Sequence, residues 1–482
     1  MGHGGLPCIE PSTETITILH TNAIHRVRVM FCGCGTDVEQ RHHYNQLLDA
    51  QLFPASFTTP KTVFTFTLLD TLCTLTMRGK VSVYDYYQSL RCLSDNCELR
   101  GLASRYDELG LAVRRYRNLL SLKRAGIAHN PNGIADMQEG DLAVDSPASP
   151  LPGKNLPPNW KTVFMDKPHL HAQFLALDAN FRLKLKDRNA KSQLSRSQKL
   201  PEPSLTGNGG FFVDEILFRK ELDRVQDKPP DKPKNKSSCD SSFAAIERSN
   251  SRFNRGFIVT GVVAAIDSRH GTVLANGVAD LQKGERYFNT DFVFLSSLRR
   301  RGLDTVYVSY DVACQWEKFL DTRCEFFPIE LRSHLGNLTI ICAIPKFHLP
   351  AHGFICWSRY SLNFIPGSAR VDGEAIERHW AATNPVATST REMTPGARHD
   401  FLEDRWAFQN FKKLVGLGDS LERKLRSAIS GVEKHEKELE ELSSSQAPSI
   451  IEEWTAMVNA YHEDPASNPD PYRVRTQGMY AA

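Results

Sequence analysis

At 482 residues, 41% of them hydrophobic, the chain is long enough for two to four domains with sizeable cores. A formal net charge of +3 excludes a uniformly basic nucleic-acid binder, so contact with a polyanion must come from local patches. Eleven scattered cysteines, an odd number, argue against a disulfide framework and for a reducing compartment, where thiols stay free or bind metal. No secretory signal or membrane-spanning run is evident, and the opening MGHGGL has Leu where myristoylation needs Ser or Thr. The expectation is a soluble intracellular protein with no membrane partner.

Residues 14 to 34 read as a β-hairpin turning at Thr21-Asn22. His20, His25, Cys32 and Cys34 cluster there, with His3 and Cys8 just before. They are either nitrogen and sulfur ligands for zinc or ordinary hairpin side chains. Residues 36 to 127 carry apolar positions three and four apart and are expected to be helical, with Pro60 at a helix start and Gly79 at a stop. The aromatic residues of this stretch suit a core. Arg114, Arg115, Arg117, Lys123 and Arg124 give its last helix a basic face. Residues 1–127 thus form a first domain, and 128–160, rich in Pro, Gly, Asn and acids, a linker.

A core over residues 161–418 follows. HLHAQFLALDANFRLKLK centres on a strand ending at Asp178, and basic residues run through Arg182, Lys184, Lys186, Arg188, Lys191, Arg196 and Lys199. The polar stretch 186–255, with DKPPDKPKNKSS, is expected to be an insertion. FIVTGVVAAID and GTVLANGV give two further strands, and ERYFNTDFVFLSSLRRRG a helix ending in Arg299, Arg300 and Arg301. TVYVSYD is a strand that ends in Asp311. Glu374 and Glu377, at i and i+3, share one face of a helix starting near Asp372, where Glu374 also has i, i+4 spacing to Arg378. Residues 419–482, a charged helix and tail, receive no function.

Two strand-end aspartates and a helical glutamate form the oxygen set that holds two divalent ions about 4 Å apart in nucleases and polynucleotidyl transferases. The order of elements is that of a ribonuclease H-like (DDE-type) α/β core with a mixed sheet. Its first and fourth strands bring Asp178 and Asp311 together, and a final helix adds Glu374 or Glu377. Mg²⁺ or Mn²⁺ is the expected cofactor, with these acids as both metal ligands and catalytic residues. His348 and His352, with Pro350 between them, could ligate zinc with Cys342 or Cys356, contact DNA phosphate, or brace the site. Arg182, Lys184, Lys186 and Arg299–Arg301 are the other expected DNA contacts.

The segments HTNAIHRVRVMFCGCG, LFPASFTTPKTVFTFTLLD, PGKNLP, LALDANFRLK, RHGTVLANGVADLQKGERYFNTD, SYDVACQWEKF, IPKFHLPAHG, DGEAIERHW and NPVATSTREMTPGARHDFLED, in that order, resemble the Kyakuja-Dileera-Zisupton (KDZ) transposases and their CxC2-like cysteine cluster domain. The resemblance implies a nuclear mobile-element protein, a possible homo-oligomer, that cuts and joins DNA at transposon ends and target. The acids again fall on Asp178, Asp311 and Glu374 or Glu377. This chain departs from the pattern at Ser146 and Ser149, before PGKNLP, and at Asp267 and Ser268, before RHG, where the family has cysteines. The first half of the cysteine cluster would lie upstream of Met1, which implies a truncated or decayed copy. The alternative function is a catalytically inactive, transposon-derived DNA- or chromatin-binding protein. A small-molecule metal hydrolase using His348 and His352 is a third reading.

Overall fold

The computed structural model describes residues 8–34, 42–99, 101–163, 165, 167–187, 203–226, 256–282, 284 and 286–473. The chain divides into two compact units. One comprises Met1–Leu142, Leu185–Gly210 and Thr383–Phe408; the other comprises Ala143–Lys184, Phe211–Ala382 and Gln409–Ala482.

In the first unit, β1 (Pro11–His20) and β2 (Ala23–Cys32) pair antiparallel from Pro11↔Cys32 to His20↔Ala23, which leaves Thr21-Asn22 as the turn. Two short strands, β3 (Leu52–Pro54) and β4 (Thr62–Thr65), extend this sheet in the order β2-β1-β4-β3. They interrupt a segment whose spacing predicted helix throughout. Thr62, Val63, Phe64 and Thr65 are β-branched or aromatic, and pairing with β1 overrides the helical period.

The Phe66–Gly79 helix therefore starts six residues after Pro60, capped by Thr65, whose hydroxyl accepts from the Leu68 amide. It stops at Gly79, as expected, with Lys80 left-handed at φ 59°. The Val83–Ser94 and Tyr106–Arg124 helices complete a core of Leu68, Leu72, Tyr87, Leu109, Val113 and Tyr116 against Phe53 and Phe64.

The arginines of the Tyr106–Arg124 helix do not form an open basic face. Arg114 pairs with Asp400, and Arg117 and Arg124 lie 3.4 and 3.7 Å from Asp404. Both acids belong to the Pro395–Val415 helix.

The second unit is built on five strands. After β5 (Gln173–Asn180) come the short β7 (Phe257–Val259), then β8 (Gly261–Asp267), β9 (Val273–Leu281), β10 (Thr305–Ser309) and β11 (Thr339–Ala343), while the two-residue β6 (Leu185–Lys186) falls in the first unit. The main sheet has the order β11-β10-β5-β8-β9. β5, β8 and β9 are successively antiparallel, whereas β10 runs parallel to β5 and β11 parallel to β10. The result is a mixed α/β architecture. Every residue of β8 is buried, consistent with a central strand covered on both faces. The Tyr287–Leu298 helix is buried nearly all round, with Phe292, Val293, Phe294 and Leu295 among its buried residues.

The expected insertion contains a helix, Glu215–Gln226. Residues 188–202 and 227–255 lie outside the described residues, and with them Arg188, Lys191, Arg196, Lys199 and the DKPPDKPKNKSS run. Part of the expected linker is packed: Ser146 and Ser149 are buried. The Leu417–Ser444 helix buries none of its residues, as its charge suggested.

Asp291, on the Tyr287–Leu298 helix, is a buried carboxylate satisfied from three directions. The Trp316 indole donates to it at 2.7 Å, and Arg323 donates through Nε at 2.6 Å and Nη2 at 3.1 Å. Burial raises its pKa, and Arg323 opposes that rise. Arg323→Met should therefore lower unfolding stability by about 3 kcal/mol, because it strands a buried charge. A urea midpoint unchanged from the parent would show that the pair does not hold this helix.

Candidate active site

The acids are positioned by the pairing of β10 with β5. Val306 stands opposite Gln173 and Ser309 opposite Ala176. Extended two residues past its last pair, that register would bring Asp311, in the turn after β10, level with Asp178 of β5. Asp178 is two residues inside the end of β5, and Asp311 follows β10 in a turn.

The Ser309 hydroxyl donates to the Leu175 carbonyl at 3.2 Å and lies 3.4 Å from the Gly373 carbonyl, so the end of β10 also holds the backbone that precedes Glu374. Gly373 has φ 78°, and a Cβ there would stand 2.9 Å from Pro345 Cα; only glycine fits this crossing.

The helix that follows is Ala375–Thr383, and it begins later than the spacing predicted. Glu374 precedes it in a turn, while Glu377 is exposed in its first turn. The two glutamates therefore do not share a helix face. Nor does Glu374 pair with Arg378. Arg378 forms a two-pronged bridge to Asp372 at 2.8 and 3.2 Å, which draws the Asp372 pKa down against partial burial.

Each acid is held separately. The Trp380 indole donates to Asp178 Oδ2 at 2.7 Å, and the Phe347 amide donates to Glu374 Oε1 at 2.8 Å. His348 Nδ1 lies 3.8 Å from the same Glu374 oxygen. Asp311 Oδ1 is buried with no hydrogen-bond partner. Burial raises the Asp311 pKa, the neighbouring His348 and His352 pull it down, and Glu377 adds to the rise. An orphaned carboxylate oxygen facing further acids is the environment a hard cation relieves, so these residues fit Mg²⁺ or Mn²⁺.

His352 is not at the surface. It is 7% exposed, and its Nδ1 lies 3.6 Å from the buried Cys314 Sγ. Cys314, His352 and Cys356 form a group whose ligand atoms lie within 4.8 Å of one another. The sequence offered Cys342 or Cys356 as a zinc partner for His352; the structure supplies Cys356 and adds Cys314. An H-x3-C spacing, with a cysteine three residues after Asp311, was the available signal.

Among the described residues one other such group occurs, Cys8, Cys32 and Cys34. Cys34 Sγ is 3.6 Å from Cys8 Sγ and 3.2 Å from Cys32 Sγ. The hairpin explains why His20 and His25 do not join it. They sit at the turn end, and seven residues of β2 separate His25 from Cys32, about 23 Å. His20 instead bonds Thr65 at 2.9 Å and His25 bonds Asn22 at 2.9 Å. For Cys8, burial raises the pKa but the Gly33 amide and the two thiols outweigh it and bring it to about 6. Hydrogen bonds to Cys32 and Cys8 push Cys34 up to about 11.

Of the expected basic contacts, Arg182, Lys186 and Arg300 are exposed, Lys184 and Arg299 half-buried. Lys184 lies over the Phe257 ring, and Lys186 pairs with Glu392. Arg301 is buried and binds Asp145 and Gln173, each at 3.0 Å, so it braces the fold and does not face solvent.

Three polar residues at or beside the departures from the family pattern also meet. The Asp267 carboxylate accepts from Ser149 and from the Gln173 amide at 3.0 Å, and lies 3.3 Å from His270 Nδ1. Burial alone would raise its pKa, but His270 and Ser149 hold it well below the usual carboxylate range.

Because the Asp311 pKa is raised in the folded chain, its ionisation costs stability. The chain is favoured below the ordinary carboxylate range and loses that advantage as pH rises through the raised value. Asp311→Asn should therefore unfold at higher urea than the parent at neutral pH without metal, with the gap closing in acid. A parent more stable than the variant at neutral pH would contradict this.

Residues 171–410 match the family model described as Kyakuja-Dileera-Zisupton transposase, and residues 1–98 match the model of the CxC2 like cysteine cluster associated with KDZ transposases. No curated protein and no solved structure matches the chain. Asp178, Asp311, Glu374 and Glu377 all fall inside the first match, and Cys8, Cys32 and Cys34 inside the second. The chain belongs to the Kyakuja-Dileera-Zisupton transposase family and carries its CxC2-like domain.

Proposed function

We propose that the chain is a DDE-type DNA transposase whose second unit is a ribonuclease H-like core, and that Asp178, Asp311 and Glu374 or Glu377 hold Mg²⁺ or Mn²⁺ for DNA strand cleavage and transfer. The observation that carries this reading is the β10–β5 register, whose last pair stands two residues before each aspartate, together with the orphaned Asp311 oxygen. The strand order β11-β10-β5-β8-β9, three antiparallel strands followed by two parallel ones, supports the fold assignment.

Divalent ions, when bound, would lower the pKa of the attacking water or DNA hydroxyl and stabilise the leaving oxygen. The chain's own residues prepare that chemistry. Asp178 and Asp311 supply oxygens from two adjacent strands. The Trp380 indole fixes the Asp178 carboxylate by its Oδ2 oxygen. Glu374, steadied by the Phe347 amide, or Glu377, whose charge acts on Asp311, would be the third acid. His348 lies 3.8 Å from the Glu374 oxygen and within electrostatic reach of Asp311.

Exposed Arg182 and Arg300 and half-buried Arg299 and Lys184 would meet DNA phosphate, with affinity falling as salt rises. Work at both ends of an element asks for more than one active site, so we expect self-association, in the nucleus. The Cys8–Cys32–Cys34 group would hold zinc, its three thiols supplying three corners of a tetrahedron.

Nicking of supercoiled DNA in Mn²⁺ or Mg²⁺ tests the reading. The parent should nick, and Asp311→Asn and Asp178→Asn should each fall to background while remaining folded. Equal background in parent and variants would favour a catalytically silent, DNA-binding descendant.

A further inference from the structure

Three buried residues near Asp311 have a chemistry that the two-metal reading does not use. Cys314 lies in the short Ala313–Trp316 helix, three residues beyond Asp311. His352 immediately precedes Gly353, the cap of the Phe354–Arg359 helix that carries Cys356. We propose that Cys314, His352 and Cys356 bind a soft divalent cation, zinc by preference, at a site distinct from the carboxylates. The site anchors the turn that carries Asp311.

The geometry fits before any metal arrives. A tetrahedral zinc with Zn–S of about 2.3 Å and Zn–N of about 2.0 Å separates a sulfur from a nitrogen by roughly 3.6 Å and two sulfurs by roughly 3.8 Å. Cys314 Sγ and His352 Nδ1 stand 3.6 Å apart, and all three donor atoms lie within 4.8 Å of one another. A closing movement of an ångström or less completes the three corners, and water can take the fourth.

The donor set also chooses the ion. Thiolate and imidazole favour zinc over magnesium or manganese, which prefer the oxygens of Asp178, Asp311 and Glu374. Charge balance agrees with burial. Zn²⁺ displaces one proton from each thiol and binds neutral imidazole, so two thiolates cancel the ion's charge and the buried group is neutral.

The backbone around the site is already fixed by its own hydrogen bonds. The Trp357 indole donates to the His352 carbonyl at 3.0 Å, and the Tyr360 amide donates to the Cys356 carbonyl at 3.0 Å. The Ile344 amide donates to the Tyr360 carbonyl at 2.9 Å, which links the helix to the end of β11. The Tyr310 amide, donating to the Ala343 carbonyl at 3.0 Å, already ties the end of β10 to β11, and zinc would add a side-chain link from this frame to the turn that carries Asp311. Cys342, also buried, lies outside the group; burial pushes its thiol far up, as expected for an inert core cysteine.

The test uses the full chain with Cys8, Cys32 and Cys34 changed to Ser, which removes the amino-terminal thiol group. Purified protein is stripped with chelator and titrated with Co²⁺, whose thiolate charge-transfer band reports sulfur ligation. One equivalent per chain should bind, with that band present and a higher thermal midpoint than the stripped chain. Cys314→Ser with Cys356→Ser should abolish both. His352→Cys should keep the cobalt and strengthen the band, because three thiolates still make three corners. The proposal is overturned if the stripped parent takes up no cobalt, or if the double-Ser chain binds as the parent does. A thiol–imidazole hydrogen bond and nothing more predicts no cobalt in the parent or in His352→Cys. Since the readout is metal uptake, failure of the DNA-cutting reading leaves this result untouched.

Discussion

The parallel pairing of β10 with β5 is the constraint on which the candidate site depends. A β-strand fixes the position of its residues to within the register of its neighbour, and a slip of one residue would turn every side chain to the other face. Here the register runs Val306↔Gln173 to Ser309↔Ala176, and Asp311 and Asp178 each follow two residues beyond its last pair. The cost of burying Asp311 is visible in its raised pKa, which comes from burial with Glu377 adding to it, and in its unpartnered oxygen. Such a cost is tolerated where a ligand can repay it, which is why the acids are better read as a binding site than as part of the fold's own cohesion.

The same unit separates two kinds of donor. The hard carboxylates are held by the Trp380 indole at Asp178 and the Phe347 amide at Glu374, with His348 3.8 Å from the same Glu374 oxygen. Soft sulfur and nitrogen donors gather beside them in the buried Cys314–His352–Cys356 group. The two sets meet through Asp311, three residues from Cys314 and within electrostatic reach of His352. Change at one should therefore be felt at the other through the turn they share.

Much of this was legible in the chain. Alternating apolar residues marked the β1–β2 hairpin and its Thr21-Asn22 turn, and short apolar runs marked β5, β8, β9 and β10. The less legible parts were long-range. The strand at Thr62–Thr65 exists because β1 lies alongside it, which no local period reveals. Asp372 captured Arg378 because Gly373 turns the chain before the helix begins, so the i, i+4 spacing to Glu374 was misleading. The zinc candidates at His20 and His25 were near Cys32 in sequence but at the far end of an extended hairpin. Burial, too, is written in tertiary structure: Arg301 and His352 carry the residue types of a DNA surface and sit inside the fold.

The most direct test of the central claim is manganese binding, read by electron paramagnetic resonance as loss of the free-ion signal, with a short DNA duplex present. The account predicts uptake by the parent that is lost in Asp178→Asn and in Asp311→Asn, and retained when Cys314 and Cys356 are both changed to Ser. Manganese uptake indifferent to both aspartates would contradict it.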